Sequence, residues 1–337
     1  MEHVAIDLGG RESQVCVRRA DGTIVEERRW RTDDLAICLA KRRPSRVIVE
    51  TCAQAFHVAD LAVAAGHEVR VVPAMLVKTL GVGARGVKTD RKDAQVLSEV
   101  STRIELPSVH IPTERVRIRR ATCTSREALI GSRTQLINCV RGWARTTGLR
   151  VRSGSTKTFA ERIRAGCTNL PSHIERLLAV VEELDAQICE ADRELASLAK
   201  DDPICRQLMT MPGVGPVTAV RFQAAVDDPA RFDTAHKVEA YLGLVPGEYS
   251  SSERQRRTGI TKAGPPAVRR TLLQAAWSAW RCRPLDPMVE WARQIEKRRG
   301  KNIAIVALAR KMAGILFAMW RDGTNYNPPA SASVSHA

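Results

Sequence analysis

An α/β unit followed by a helical remainder is the fold class this sequence predicts, and three observations predict it. Apolar runs of strand length alternate with helical patterns over residues 1–110. From about residue 113 apolar positions recur in steps of three and four instead. At 337 residues the chain is long enough for more than one core.

In the first region Val4–Leu8 reads as a strand. Gln14–Arg18 and Thr23–Arg29 complete a meander around Ala20-Asp21-Gly22. Asp33–Lys41 is helical, Arg46–Glu50 is a second buried strand, and helix 53–65 leads to strand Glu68–Val72. Gly81 to Gly86 reads as a flexible basic segment, and helix 90–101 follows. A meander and then alternating helices and strands resembles a ribonuclease-H-like fold. Residues 113–200 are expected to form a basic, mostly helical region broken at Gly148–Gly154. Residues 114–164 hold thirteen Lys or Arg against three Glu. Ile174, Leu177, Val181, Leu184, Ile188, Ala191, Leu195 and Leu198 read as a heptad stripe, either a coiled coil or a long amphipathic helix on its own domain. Residues 201–326 read as a second compact, mainly helical unit, with helices over 263–283 and 301–320. The tail 327–337 is expected to be disordered.

The charge narrows the class. Lys plus Arg is 53 against 37 Asp plus Glu, a formal net charge of +16, and the basic residues cluster. That points to a polyanionic partner. None of the nine cysteines forms a C-x-x-C pair, which argues against a zinc or redox motif and fits a reducing compartment. No signal-peptide pattern is read at the N-terminus, and no apolar run is read as long enough to span a bilayer. The expectation is a cytoplasmic, nucleoid-associated protein.

Four carboxylates carry the chemistry. Asp7 and Glu50 each end an apolar strand, and Asp90 and Asp93 are three apart at the start of a helix. Capping and the helix dipole could explain each acid alone. Together they suit a Mg²⁺ or Mn²⁺ site for phosphodiester chemistry. Asp7-Leu8-Gly9-Gly10 also resembles the phosphate loop of sugar kinases and actin-like ATPases, but no convincing second loop follows. Met211-Pro212-Gly213-Val214-Gly215-Pro216 resembles a helix-hairpin-helix turn, in which Gly213 and Gly215 would hold a nucleic-acid phosphate; a plain helix turn is the alternative. Tyr249-Ser250-Ser251-Ser252 lies beside Arg254, Arg256 and Arg257, with Lys262, Arg269 and Arg270 further on. This cluster is either a basic loop on a phosphate backbone or a serine nucleophile in an arginine field.

The combination resembles the DEDD transposases of bacterial insertion sequences, bridge-RNA-guided recombinases with a RuvC-like N-terminal domain. The resemblance covers roughly residues 1–325. It rests most on Lys88-Thr89-Asp90 through Asp93-Ala94, Met211 to Gly215, Gly243-Leu244-Val245-Pro246, Tyr249-Ser250-Ser251 and Thr261-Lys262-Ala263-Gly264. It implies a RuvC-like catalytic domain over 1–112, a basic coiled-coil region over 113–200 and a transposase domain over 201–326. It also implies Asp7, Glu50, Asp90 and Asp93 as metal ligands and Ser251 as nucleophile. Partners would be donor and target DNA, a structured guide RNA and further copies of the chain, as dimers pairing into a tetramer. The sequence departs from the family pattern after Glu50, at Thr51 to Phe56, and at Ser252-Glu253. A structure-specific endonuclease such as a junction resolvase, using the carboxylates and water without the serine, is the main alternative. A non-catalytic nucleic-acid scaffold is the third.

Overall fold

Five strands build a sheet around β1 (His3–Asp7), in a computed structural model that describes residues 1–79, 89–251 and 254–328. The others are β2 (Glu12–Arg18), β3 (Ile24–Arg31), β4 (Arg46–Glu50) and β5 (Glu68–Val72), in the order β3-β2-β1-β4-β5. β1 runs antiparallel to β2 and parallel to β4, and β4 parallel to β5. β1 and β4 are buried on both faces, which is why their sequences are continuous apolar runs rather than alternating ones. On one face Val4, Ile6, Val15, Val17, Val47, Val49 and Val71 pack with α1 (Leu35–Ala40) and α2 (Ala55–Ala64). On the other, Ala5, Ile48 and Val72 meet Leu97 of α4 (Asp90–Arg103). A short helix that the sequence did not predict, α3 (Ala74–Thr79), follows β5. The segment Gly81–Gly86 lies outside the described residues, as does most of the tail.

The chain divides into Met1–Pro112 and Thr113–Ala337. The second unit contains α5 (Glu114–Thr146), α6 (Phe159–Gly166), α7 (Ser172–Asp201), α8 (Pro203–Leu208), α9 (Pro216–Val226) and α10 (Ala235–Tyr241). Then come β6 (Pro246–Ser251), β7 (Arg254–Ile260), α11 (Pro266–Cys282), α12 (Pro287–Arg299) and α13 (Lys301–Asp322). The boundary expected at residue 200 falls inside this unit. Leu195 and Ala199 of α7 share one core with Cys205, Phe222, Leu272 and Leu308.

α5 and α7 pair antiparallel, and the predicted stripe is buried fully at four positions and partly at the other four. Ile174, Val181, Ile188 and Leu195 are buried as expected; Leu177, Leu184, Ala191 and Leu198 are partly buried, Leu177 and Leu198 packing against the two cores, and Leu178 and Ala199 are buried beside them. Ion pairs run alongside the stripe. Arg119, Arg126 and Arg133 sit at heptad steps on α5 and pair with Asp202, Asp192 and Asp185. Arg126 Nε donates to Asp192 Oδ1 at 2.5 Å, and Arg119 Nη1 lies 2.6 Å from Asp202 Oδ2. Ion pairs so placed flank the apolar seam rather than interrupt it. The stripe is thus used within the unit.

α13 corrects another expectation. It is 22 residues long and, among the described residues, the one helix long and apolar enough to cross a membrane. Its Ala304, Ile305, Leu308, Met312, Leu316 and Phe317 are instead the centre of the second core. Each such large side chain contributes roughly 1.5–3 kcal/mol by burial.

Candidate functional site

Strand register places the first two carboxylates. Ile6 pairs with Val49, so Asp7 and Glu50 occupy the next position on adjacent parallel strands and project from the same sheet face. It is the face of Ala5 and Ile48, which α4 covers. The row continues outward, because Asp7 pairs with Gln14 and Gln14 with Arg29. Glu50, Asp7, Gln14 and Arg29 therefore form a line across four strands. The turn leaving β1 is tight. Gly9 has no room for a side chain against Glu12 O, and Thr32 Oγ1 donates to Gly9 O at 2.8 Å.

α4 runs against β1, and its contacts set its direction. Ser101 Oγ meets His3 Nδ1 at 2.8 Å, and Ser98 Oγ donates to Cys16 Sγ at 3.3 Å. Nearer the carboxylate end, Arg91 grips Glu27 of β3 with two hydrogen bonds of 2.8 and 2.7 Å, joined by Gln95 Nε2 at 2.7 Å. Hydrogen bonding from Arg91 holds Glu27 below the usual carboxylate range. Thr89 caps the helix by accepting from Lys92 N–H, and the N-terminal dipole favours acids in this first turn. Asp93 is buried and Asp90 exposed. Asp90 lines an open cavity of about 750 Å³ together with Gln14, Arg29, Arg31 and Arg11.

Four carboxylates offer only oxygen donors, which suits a hard divalent cation. All four lie at one end of one sheet face or on the helix that covers it. Among the described residues, however, no three His, Cys, Asp or Glu side chains stand close enough to hold a metal ion as placed.

The serine cluster, read from sequence as a basic loop or a nucleophile in an arginine field, begins on a strand. β6 and β7 pair antiparallel, and the backbone register sets Ser251 opposite Arg254 and Tyr249 opposite Arg256. The side chains of Ser251, Arg254, Arg256 and Arg257, and Ser252-Glu253 entirely, lie outside the described residues. The base of the hairpin is fixed in detail. Thr261 N–H donates to Val245 O at 2.9 Å and Lys262 N–H to Gly243 O at 3.1 Å. Gly243, Lys262 and Gly264 have φ of +70°, +53° and +84°. A methyl at Gly243 would lie 2.7 Å from Ala263 N, and one at Gly264 would strike Tyr241 O. Arg269 is buried, and its Nη1 donates to Leu242 O at 3.1 Å and to Gly264 O at 2.8 Å.

The Arg269 guanidinium thus ties the hairpin stem through Nη1. Arg270 is half-exposed and pairs with Glu127, which also takes Arg221 Nη1 at 2.7 Å. Gly213 has φ +83°, and its missing side chain faces the α11 backbone at Ala275 and Ala279, so close packing requires glycine there. Gly215, the N-cap of α9, has open space where a Cβ would stand. Lys262 is exposed. Sequence reasoning missed Gln14, Arg29 and Glu27. The signal was present in the strand register, which places them one and two strands beyond Asp7.

Comparison with known proteins bears on this arrangement. Residues 205–288 match the family described as Transposase IS116/IS110/IS902 family, and residues 4–147 match the DEDD transposase family of IS110. A protein of Pseudomonas aeruginosa named "Probable family 20 transposase" is 30% identical over 295 residues, covering 85% of this chain and 86% of the relative. The transposase for insertion sequence element IS1111A of Coxiella burnetii is 28% identical over 325 residues, covering 94% and 88%. That for IS1328 of Yersinia enterocolitica is 27% identical over 333 residues, covering 96% and 98%. The chain belongs to the IS110/IS116/IS902 family of insertion-sequence DEDD transposases.

Proposed function

We propose that this transposase is RNA-guided and that it cuts and exchanges DNA strands through a phosphoserine link at Ser251. The observation that carries the reading is the shared sheet face. Asp7 and Glu50 end neighbouring strands beneath the helix whose first turn holds Asp90 and Asp93. These four residues would hold a divalent cation, Mg²⁺ or Mn²⁺, once the DNA phosphate supplies further oxygens. Such an ion polarises a phosphate and helps form an oxygen nucleophile. Ser251 Oγ attacks phosphorus, an O–P bond to the serine forms, and the bond to one sugar oxygen breaks. That oxygen leaves as a hydroxyl, carrying the proton lost by the serine. A sugar hydroxyl of the exchanged strand then attacks the phosphoserine and frees Ser251. Arg254, Arg256 and Arg257 neutralise phosphate charge around the hairpin.

The domain assignment follows: residues 1–112 as the RuvC-like catalytic domain, 113–200 and 201–326 as the parts that hold guide RNA and DNA. Dimers pairing into a tetramer would bring one copy's carboxylates to another's serine. The enzyme would act in the cytoplasm, at the nucleoid.

Covalent capture of DNA tests the reading. Full-length protein is incubated with its own element DNA and a divalent cation, denatured, and probed for attached DNA. An adduct is expected in the wild type, reduced at least 1,000-fold in Ser251→Ala and in Asp7→Ala, an order set by loss of a nucleophile. Metal-dependent nicking with no adduct would overturn the serine and favour the junction-resolvase chemistry.

A further inference from the structure

The line of residues across the sheet does not stop at the carboxylates. Gln14 is buried directly beside Asp7 in the strand register, and Arg29 is the next residue outward. Arg31 lies two residues along β3 from Arg29, on the same sheet face, opposite Glu12. Arg11 stands in the loop between β1 and β2, whose carbonyl accepts from Thr32 N–H at 2.9 Å. All four line the open cavity of about 750 Å³ that Asp90 also borders. The cavity thus leads from an exposed rim of three arginines to the carboxylate end of the sheet.

We propose that this cavity is a backbone-binding cleft for a DNA single strand. Arg29 and Arg31 grip successive phosphates, Arg11 closes the rim, and Gln14 reaches the phosphate next to Asp7. The proposal deepens the reading above, since it assumes that the carboxylate end is where DNA is cut.

The chemistry favours a phosphodiester chain over a small anion. Positions two residues apart on a strand are separated by roughly 6–7 Å, close to the spacing of phosphates along a nucleic-acid strand. Planar guanidinium groups match phosphate oxygens two at a time. Glu12 and Asp33 also line the cavity. The Glu12 carboxylate lies 3.5 Å from Arg29 Nη1 in a pair with both side chains more than half exposed. A pair so exposed contributes little and yields readily to a phosphate. Gln14 supplies an amide that donates to a phosphate oxygen without adding charge beside Asp7. An edge strand suits this task, because β3 has an open side where DNA can lie without crossing a neighbouring strand.

The test is salt-dependent binding of a 20-nucleotide single-stranded DNA to the full chain, compared with an RNA of the same sequence. Each single-strand phosphate contact adds about 0.7 to the slope of log K against log salt. Arg29→Gln/Arg31→Gln should lower the slope by about 1.4 and weaken DNA binding roughly 5- to 10-fold. Arg29→Lys/Arg31→Lys, which keeps both charges, should restore the slope. A control pair, Arg19→Gln/Arg43→Gln, removes equal charge at the other end of the sheet, where both residues line a second cavity. It should leave the slope within about 0.3 of wild type. Equal losses in the two pairs would reduce the effect to net charge and overturn the cleft. A loss for RNA alone would overturn its assignment to DNA. Binding is read without cleavage, so failure of the serine chemistry leaves this outcome distinguishable.

Discussion

The two units hold their chemistry by different means. In the first, Asp7, Glu50 and the Asp90 turn sit on the ends of regular elements, and each is positioned by a core or by several hydrogen bonds. In the second, Ser251 ends the first strand of a two-stranded hairpin, and the hairpin depends on a small knot of Gly243, Lys262, Gly264 and Arg269. The carboxylate end should tolerate single substitutions around it. The hairpin should depend on a few backbone positions.

Gly264→Ala is the strongest way to break that contrast. The added methyl meets Tyr241 O at a φ of +84°, combining overpacking with left-handed strain. We expect a loss of about 3–5 kcal/mol in denaturant unfolding of the second unit. DNA cleavage should fall with it, while the circular-dichroism signature of the sheet unit persists. An unchanged midpoint would refute the knot.

Register along α7 sharpens the second unit's description. Leu178 is fully buried and should cost about 2–4 kcal/mol when replaced by Ala. Leu184, which the predicted stripe includes, is only partly buried and should cost under about 1 kcal/mol. A loss at Leu184 as large as at Leu178 would overturn this ranking.

Acid is the mildest probe. Burial pushes the Asp202 carboxyl up, but hydrogen bonds from Arg119, Gln223 and the Cys205 N–H outweigh it and hold the group at about 2, below its ordinary 3.8. A lowered pKa stabilises the fold above the ordinary value and loses that contribution as pH falls. Stability of the second unit should therefore decline between about pH 4 and pH 2, and Asp202→Asn should flatten that part of the profile. An identical profile in the variant would remove Asp202 from the acid response.

These contrasts also explain what was legible. Val4–Asp7 and Val47–Glu50 are apolar runs ending in an acid, and central parallel strands write that signal plainly. The hairpin was missed because Tyr249 to Arg257 is polar throughout and has no alternation to read. The structural contacts of Gly213 and Arg269 were not legible for a shared reason. A glycine turn and a basic residue look the same in sequence whether they face phosphate or backbone carbonyls. Asp185 and Asp192 read in sequence only as charges flanking the α7 stripe. Only α5, with arginines at matching steps, shows that they are paired.

Charge on β3 has a consequence for how the protein behaves in solution. An edge strand with unpaired backbone groups is a template on which a second molecule can add its own strand. Here Glu26, Glu27, Arg28, Arg29 and Arg31 crowd that edge, and only Trp30 among its last six residues is buried. Bulky, solvated charges of both signs make such pairing costly. The arginines that would grip DNA thus also keep the molecules apart, and variants that blunt one property erode colloidal stability as well.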